Sequence, residues 1–142
     1  MSKPEASDVM TDGVIAVDAS DTVTEAAQKM KKNNIRSLVV LEDDEAVGII
    51  AGKDVLYGVV AEGRDPTETQ VAAVMTKDLI TASPHDSVSD IARAMINNDI
   101  SRVPIMQGDR LVGIVTQTNI METWPGYVEL LEEQAASGLG DI

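Results

Sequence analysis

Leu111-Val112-Gly113-Ile114-Val115-Thr116-Gln117-Thr118-Asn119 is an aliphatic, largely β-branched run that ends in polar side chains and then Ile120. The run suits a buried strand, and its polar end suits a sharp turn into a helix capped by Thr116 or Thr118. A strand that stops where a helix starts leaves backbone N–H groups unpaired, and these suit an anion. One such turn would decide little. The chain carries it twice, because Ala46-Val47-Gly48-Ile49-Ile50-Ala51-Gly52-Lys53-Asp54 has the same form.

The two copies set the register of an internal repeat. Gly48 matches Gly113, 65 residues on, and this offset holds without a gap from Met10/Met75 to Val55/Ile120. Identical pairs include Thr11/Thr76, Asp21/Asp86, Val23/Val88, Ala27/Ala92, Met30/Met95, Asn33/Asn98, Ile35/Ile100, Asp44/Asp109 and Ile49/Ile114. The chain is a duplicated unit.

With 142 residues, 44% of them hydrophobic, there is enough chain for one compact body. Its core must be aliphatic, since there is no Phe, one Trp and two Tyr, with seven Met to fill irregular gaps. No apolar run approaches the length of a membrane span, and no signal peptide opens the chain. The absence of Cys excludes disulfides and thiolate sites. These features predict a cytoplasmic protein that neither enters a membrane nor carries a metal site. A net charge of −13, from 24 acidic and 11 basic residues, argues against nucleic acid as a partner. Most of the carboxylates read as solvated surface, with Glu42-Asp43-Asp44-Glu45 as a hairpin tip.

In chain order, residues 1–9 read as a loose lead-in and Val14 to Val17 as a first strand. Thr22-Val23-Thr24-Glu25 fits a capping box, with Val23, Ala26, Ala27 and Met30 on one helical face. Strands follow at Ser37 to Leu41 and Ala46 to Ala51, then a helix from Lys53 toward Ala61. The second copy repeats this with a strand at Leu79 to Ala82, a helix whose apolar face is Val88, Ile91, Ala92 and Met95, and strands at Val103 to Met106 and Leu111 to Val115. Pro104 belongs at a sheet edge, because it cannot donate to a ladder. Trp124-Pro125 ends the last repeat helix. A further helix over 126–136 places Tyr127, Leu130 and Leu131 on one side, and the closing Ser-Gly-Leu-Gly-Asp-Ile is expected to fray. The expected domains are residues 8–62, a connector 63–72, residues 73–122, and a C-terminal helix and tail 123–142. The fold class is α/β (α+β). Each repeat runs strand-helix-strand-strand-helix, and the two pack sheet to sheet about a pseudo-twofold axis with ligand sites in the grooves between.

At this point the chain resembles a tandem pair of CBS domains, a Bateman module. Val-Met-Thr at 9–11 and 74–76 carries the resemblance, with the Ile-led approach to the second strand at 35–40 and 100–105. Gly-Ile-Val-Thr-Gln-Thr-Asn-Ile at 113–120 and the connector Val-Ala-Glu-Gly-Arg-Asp-Pro at 60–66 complete it. The resemblance implies a regulatory module rather than an enzyme, with no obligatory cofactor. As regulatory ligand it implies an adenine nucleotide (AMP, ADP or ATP) or S-adenosylmethionine. It also implies a homodimer, acting in trans on a regulated protein that the sequence does not identify.

The family pattern Gly-x-x-Thr-x-x-Asp falls on Ala51 and Asp54 in the first repeat and on Thr116 and Asn119 in the second. The family's basic position before the second strand falls on Arg36-Ser37 and Ser101-Arg102. By that resemblance, one cleft joins Asp54 and Lys53 to Arg102 near phosphate, with Leu79 and Ile80 lining adenine. A second joins Thr116, Thr118, Asn119 and Arg36 with Val14 and Ile15. Asp54 ranks first because a carboxylate accepts from both ribose hydroxyls, whereas Asn119 offers one acceptor oxygen. Asp54 also reads as a helix-terminal acid, Thr116 as a cap, and Arg36 and Arg102 as surface arginines. The departures at Ala51 and Asn119 keep open an inert dimerisation module with vestigial clefts. His85, the only histidine, reads as a turn residue, and with no Cys no nucleophile–base pair suggests catalysis.

Overall fold

The computed structural model describes residues 3–137 and divides the chain into two compact units. One contains residues 15–79; the other contains residues 3–14 together with 80–137. Each therefore draws on both sequence repeats. Both are mixed α/β, a small sheet covered by helices.

In the 15–79 unit the sheet order is β1 (Ala16–Asp18), β2 (Ser37–Glu42), β3 (Glu45–Ala51). β1 and β2 are parallel with Val17 opposite Val40; β2 and β3 are antiparallel with Val39 opposite Ile49. The acidic tip turns through Asp43 and Asp44, whose φ values of 52° and 67° are the two left-handed positions of a tight hairpin. Asp accepts this conformation more readily than β-branched residues do. α2 (Val23–Asn33) starts at Thr22, whose hydroxyl accepts from Glu25 N at 3.2 Å, and ends at left-handed Asn34. The Glu25 carboxylate accepts from the Thr22 hydroxyl instead of reaching the Thr22 amide, as a full capping box would require; the Thr22 backbone pairs with Gln70.

The helix expected from Lys53 is a short α3 (Gly52–Val55) that widens into a π-helical turn over Leu56–Val60. Ala61 N reaches back five residues to Leu56 O. Beyond it, Asp65 accepts from the hydroxyl and the amide of Thr67. These two bonds, the hydroxyl first, hold its carboxyl below the ordinary value. Their support for this turn is present above the ordinary carboxylate range and lost as pH falls through the lowered value.

The 80–137 unit repeats the plan with α4 (Val88–Asn98), β4 (Arg102–Gln107), β5 (Arg110–Thr116) and α5 (Gln117–Thr123), and adds α6 (Gly126–Ser137). Ser87 caps α4, as Thr22 caps α2, and left-handed Asp99 ends it. The strand expected at Leu79 to Ala82 does not form; only Ala82 makes a bridge, to Ile105. Two prolines account for this. Ala19 donates its N–H to Leu41 O at 2.8 Å, but the matching residue is Pro84, which has no N–H. Pro104 lies in mid-β4 on the outer edge of a two-stranded sheet, where its carbonyl accepts from Ala82 N but it donates nothing.

The lead-in is also more ordered than expected. Ala6–Val9 form a helical turn, α1, and Ala6 is fully buried. α5 stops at Trp124, and Tyr127 on α6 enters the core while Leu131 packs beside it. Of the closing residues expected to fray, 138–142 lie outside the described residues. Among the described residues no helix is long and apolar enough to cross a membrane.

Ala26 and Met30 pack with Val17, Leu38, Val40, Ile50 and Val71, with Val23 on the same helix fully buried, and Val88, Ile91, Ala92 and Met95 pack with Val103, Ile105, Val115, Ile120 and Tyr127. On sequence alone these stripes, together with Val55, Leu56 and Val59, read as more apolar surface than one sheet buries and hence as a dimer interface. The stripes are core instead, because each small sheet needs a full helix face to bury it. Val59 is buried too; among the described residues the large apolar side chains left outside are Ile15, Leu56 (52% exposed), Tyr57 (66%) and Val60 (65%), with Met121 and Val128 in the other unit.

Candidate functional site

The chemistry-bearing residues gather where β3 passes into α3 and where β5 passes into α5. In the 15–79 unit, Ala51 is paired opposite Ser37, and Gly52 N donates to Arg36 O at 3.2 Å. Arg36, Ser37, Ala51, Lys53 and Asp54 thus share one end of the β2–β3 hairpin. Arg36 and Lys53 are exposed, Asp54 and Leu79 half-buried. The Asp54 carboxylate accepts from Ala51 N at 2.8 Å through Oδ2 and from the Thr76 hydroxyl at 3.1 Å through Oδ1. Each oxygen keeps a second lone pair.

In the 80–137 unit, Arg102 is opposite Thr116, and Gln117 N donates to Ser101 O at 2.9 Å. Ser101, Arg102, Thr116, Thr118 and Asn119 therefore share the matching hairpin end. Here the capping box is complete: Asn119 N donates to Thr116 Oγ1 at 3.2 Å, and Asn119 Oδ1 accepts from Thr116 N at 2.9 Å. Asn119 Nδ2 has no protein partner among the described residues. Thr118 and Ser101 are exposed. Arg102 is half-buried and makes no ion pair or side-chain hydrogen bond among the described residues. Burial lowers its pKa from the ordinary value, but an arginine stays charged in proteins.

Val14 and Ile80, both half-buried, fall in this unit; Ile15, exposed, falls in the other. Thr76 is the residue that sequence reasoning did not assign to a site. Its identity with Thr11 was the available signal, but its bond to Asp54 spans 22 residues and no local pattern shows it. His85 is a turn residue as read. Its Nδ1 lies 3.2 Å from Glu5 Oε2, joining the turn to the lead-in.

The two hairpin ends also differ in strength. Ala51 has no hydroxyl, so the Asp54 amide lacks the acceptor that Thr116 gives Asn119. The backbone at Ala51 (φ −120°, ψ 168°) is close to that at Thr116 (φ −107°, ψ 162°), so a threonine fits without strain. Ala51→Thr should stabilise the chain by about 1 kcal/mol, and Thr116→Ala should cost about as much. Chemical denaturation of both variants checks the pair.

Among the described residues no three His, Cys, Asp or Glu side chains cluster so as to hold a metal ion. The comparisons agree with the repeat. The sequence profile of the CBS domain matches residues 6–61 and 71–126. The chain belongs to the CBS-domain family. Pairs of CBS domains are regulatory modules, and proteins made of such pairs alone are generally not catalytic.

An uncharacterised protein of Methanopyrus kandleri is 33% identical over 123 residues, which span 85% of this chain and 63% of that protein. The CBS domain-containing protein YhcV of Bacillus subtilis is 32% identical over 135 residues, 95% of this chain and 92% of its own. Among solved structures, Hypoxic Response Protein I with two coordinated zinc ions superposes with a TM-score of 0.79 at 29% identity, covering 86% of this chain and all of that one. The CBS domain pair of protein MJ0100, in complex with 5′-methylthioadenosine and S-adenosyl-L-methionine, gives 0.77 at 28% identity and covers 88% and 98%.

Proposed function

We propose that this CBS pair is a ligand sensor that binds an adenosine-containing molecule at its strand-to-helix turns and acts in trans on a partner protein. The observation that carries the reading is the side chain three residues into each turn, Asp54 or Asn119, which accepts from the backbone before it and keeps hydrogen-bonding capacity to spare. A ribose diol presents two O–H donors to such a group. Arg102, and the exposed Lys53 and Arg36, supply positive charge for phosphate within a strongly acidic chain. Val14, Ile15, Leu79 and Ile80 supply apolar surface for adenine. The complex of the MJ0100 pair with two adenosine derivatives supports this ligand class. Asp54 is the stronger of the two ribose acceptors, since both of its oxygens accept.

Asp54→Asn tests this more cleanly than Asp54→Ala. Alanine removes two internal bonds as well as any ligand contact, whereas Asn119 already shows an asparagine making the same bond to the backbone. Asp54→Asn should therefore fold normally and bind about tenfold more weakly, the loss of a charge-assisted acceptor. Asn119→Asp should bind more tightly at the other turn. Calorimetric titration decides: unchanged binding in Asp54→Asn with a loss in Asn119→Ala reverses the ranking.

The exposed Leu56, Tyr57 and Val60 on one helical turn suit a homodimer contact. Light scattering that returns the monomer mass at micromolar concentration would exclude it. The second reading, an inert dimerisation module, rests on Ala51 and Asn119, where the family's hydroxyl and carboxylate are replaced. Dimers that bind none of these ligands would favour it.

A further inference from the structure

Residues 4–11 lie along the 80–137 unit as a strap, and residues 69–76 lie along the 15–79 unit bond for bond. Ala6 N donates to Asp86 O at 2.9 Å where Val71 N donates to Asp21 O at 2.8 Å. Ser7 N reaches Pro84 O as Ala72 N reaches Ala19 O, and Val88 N reaches Pro4 O as Val23 N reaches Thr69 O. Thr11 exchanges two backbone hydrogen bonds with Ile114, and Thr76 does the same with Ile49. A Cβ on Gly113 would stand 2.5 Å from Met10 Sδ, and one on Gly48 2.9 Å from Met75 Sδ, so each glycine is a seat for the strap's methionine. The structural repeat thus extends upstream of Met10/Met75, to Pro4/Thr69, through positions with little sequence identity.

The straps differ in how they are tethered. Strap 69–76 follows residue 68 of the unit it covers. Strap 4–11 is joined to its receptor only through the whole 15–79 unit, which the chain enters between Val14 and Ile15. Just before that crossing stands Gly13, at φ +65° with open space around it. The contacts that seat the strap are backbone bonds and the apolar side chains of Ala6, Val9 and Met10, and they are indifferent to which molecule supplies them.

From this we infer that the groove on the 80–137 unit, running from Pro84 to Val88 and along Ile114, is an exchange site. It takes residues 4–11 of a second copy of this chain as readily as its own. The closed and exchanged forms share every strap contact and differ only around Gly13, so concentration decides between them. This is separate from a homodimer through Leu56 and Tyr57, in which each strap stays with its own groove.

Because the chain lacks cysteine, introduced thiols give a direct test. Thr11→Cys with Ile114→Cys places two thiols across a mutually bonded pair of opposed residues, a spacing a disulfide spans. Glu5→Cys with Ser87→Cys does the same at the other end of the strap, should the core position be poorly tolerated. Each pair is equilibrated at increasing protein concentration, oxidised, and run on a denaturing gel without reductant, with and without Gly13→Pro. Proline cannot adopt φ +65°, so it opens the hinge. Exchange predicts a covalent dimer whose share grows with concentration and is several-fold larger with Gly13→Pro. Oxidised monomer alone at every concentration and in both backgrounds overturns the inference. So does failure of both pairs to oxidise, since the strap would then not occupy the groove.

Discussion

Ile105→Ala is expected to destabilise the chain by about 2–5 kcal/mol, a large part of the stability of an ordinary domain. Ile105 is fully inaccessible to solvent and packs in the cluster built from α4, β4, β5, α5 and Tyr127. The truncation would lose the transfer energy of the side chain and leave a cavity bounded by β-branched neighbours that have few alternative rotamers. Ile50→Ala should cost a similar amount in the 15–79 unit, where Ile50 is equally buried. Leu56→Ala, on the exposed π-helical turn, should stay within about 0.5 kcal/mol when measured on the monomer. Urea denaturation of the three variants checks the contrast. Equal costs for Ile105→Ala and Leu56→Ala would contradict the assignment of core and surface.

A saturating adenosine-containing ligand should raise the stability by roughly 2.7 kcal/mol at a hundredfold excess over its dissociation constant. The argument is mass action: the turns that present Asp54 and Asn119 exist only when the hairpins are folded, so ligand binds the native chain and not the unfolded one. For a chain of this length that gain corresponds to a rise in melting midpoint of roughly 5–10 °C. The rise should be smaller in Asp54→Asn. A shift of the same size in Asp54→Asn would place the ribose elsewhere, and no shift with any of the four ligands would favour the inert module.

Much of this fold was legible because the chain states it twice. The offset of 65 residues identified both hairpins, both capped helices and the turns that carry Asp54 and Asn119. The Thr22 and Ser87 caps were readable because capping depends on residues three positions apart. What escaped was non-local. The strand expected at Leu79 to Ala82 lost its ladder to Pro84 and Pro104, which act from different segments. The lead-in read as loose because Pro4 to Val9 have no amphipathic period of their own; their order comes from backbone bonds to residues about 80 positions away. The helix stripes looked too extensive for one sheet to bury, yet two small sheets bury one stripe each. At the candidate site, the residue types and their spacing were readable, but the bond from Thr76 to Asp54 was not. That bond alters the choice of test, since it makes Asp54→Ala a stability variant as well as a binding variant.

The central claim is that this CBS pair binds an adenosine-containing ligand, and calorimetric titration of the unmodified chain tests it most directly. AMP, ADP, ATP and S-adenosylmethionine would be titrated separately at near-neutral pH. The account predicts saturable heat with at least one of them, with the ligand recovered chemically unchanged. Absence of saturable heat with all four at millimolar concentration would contradict it.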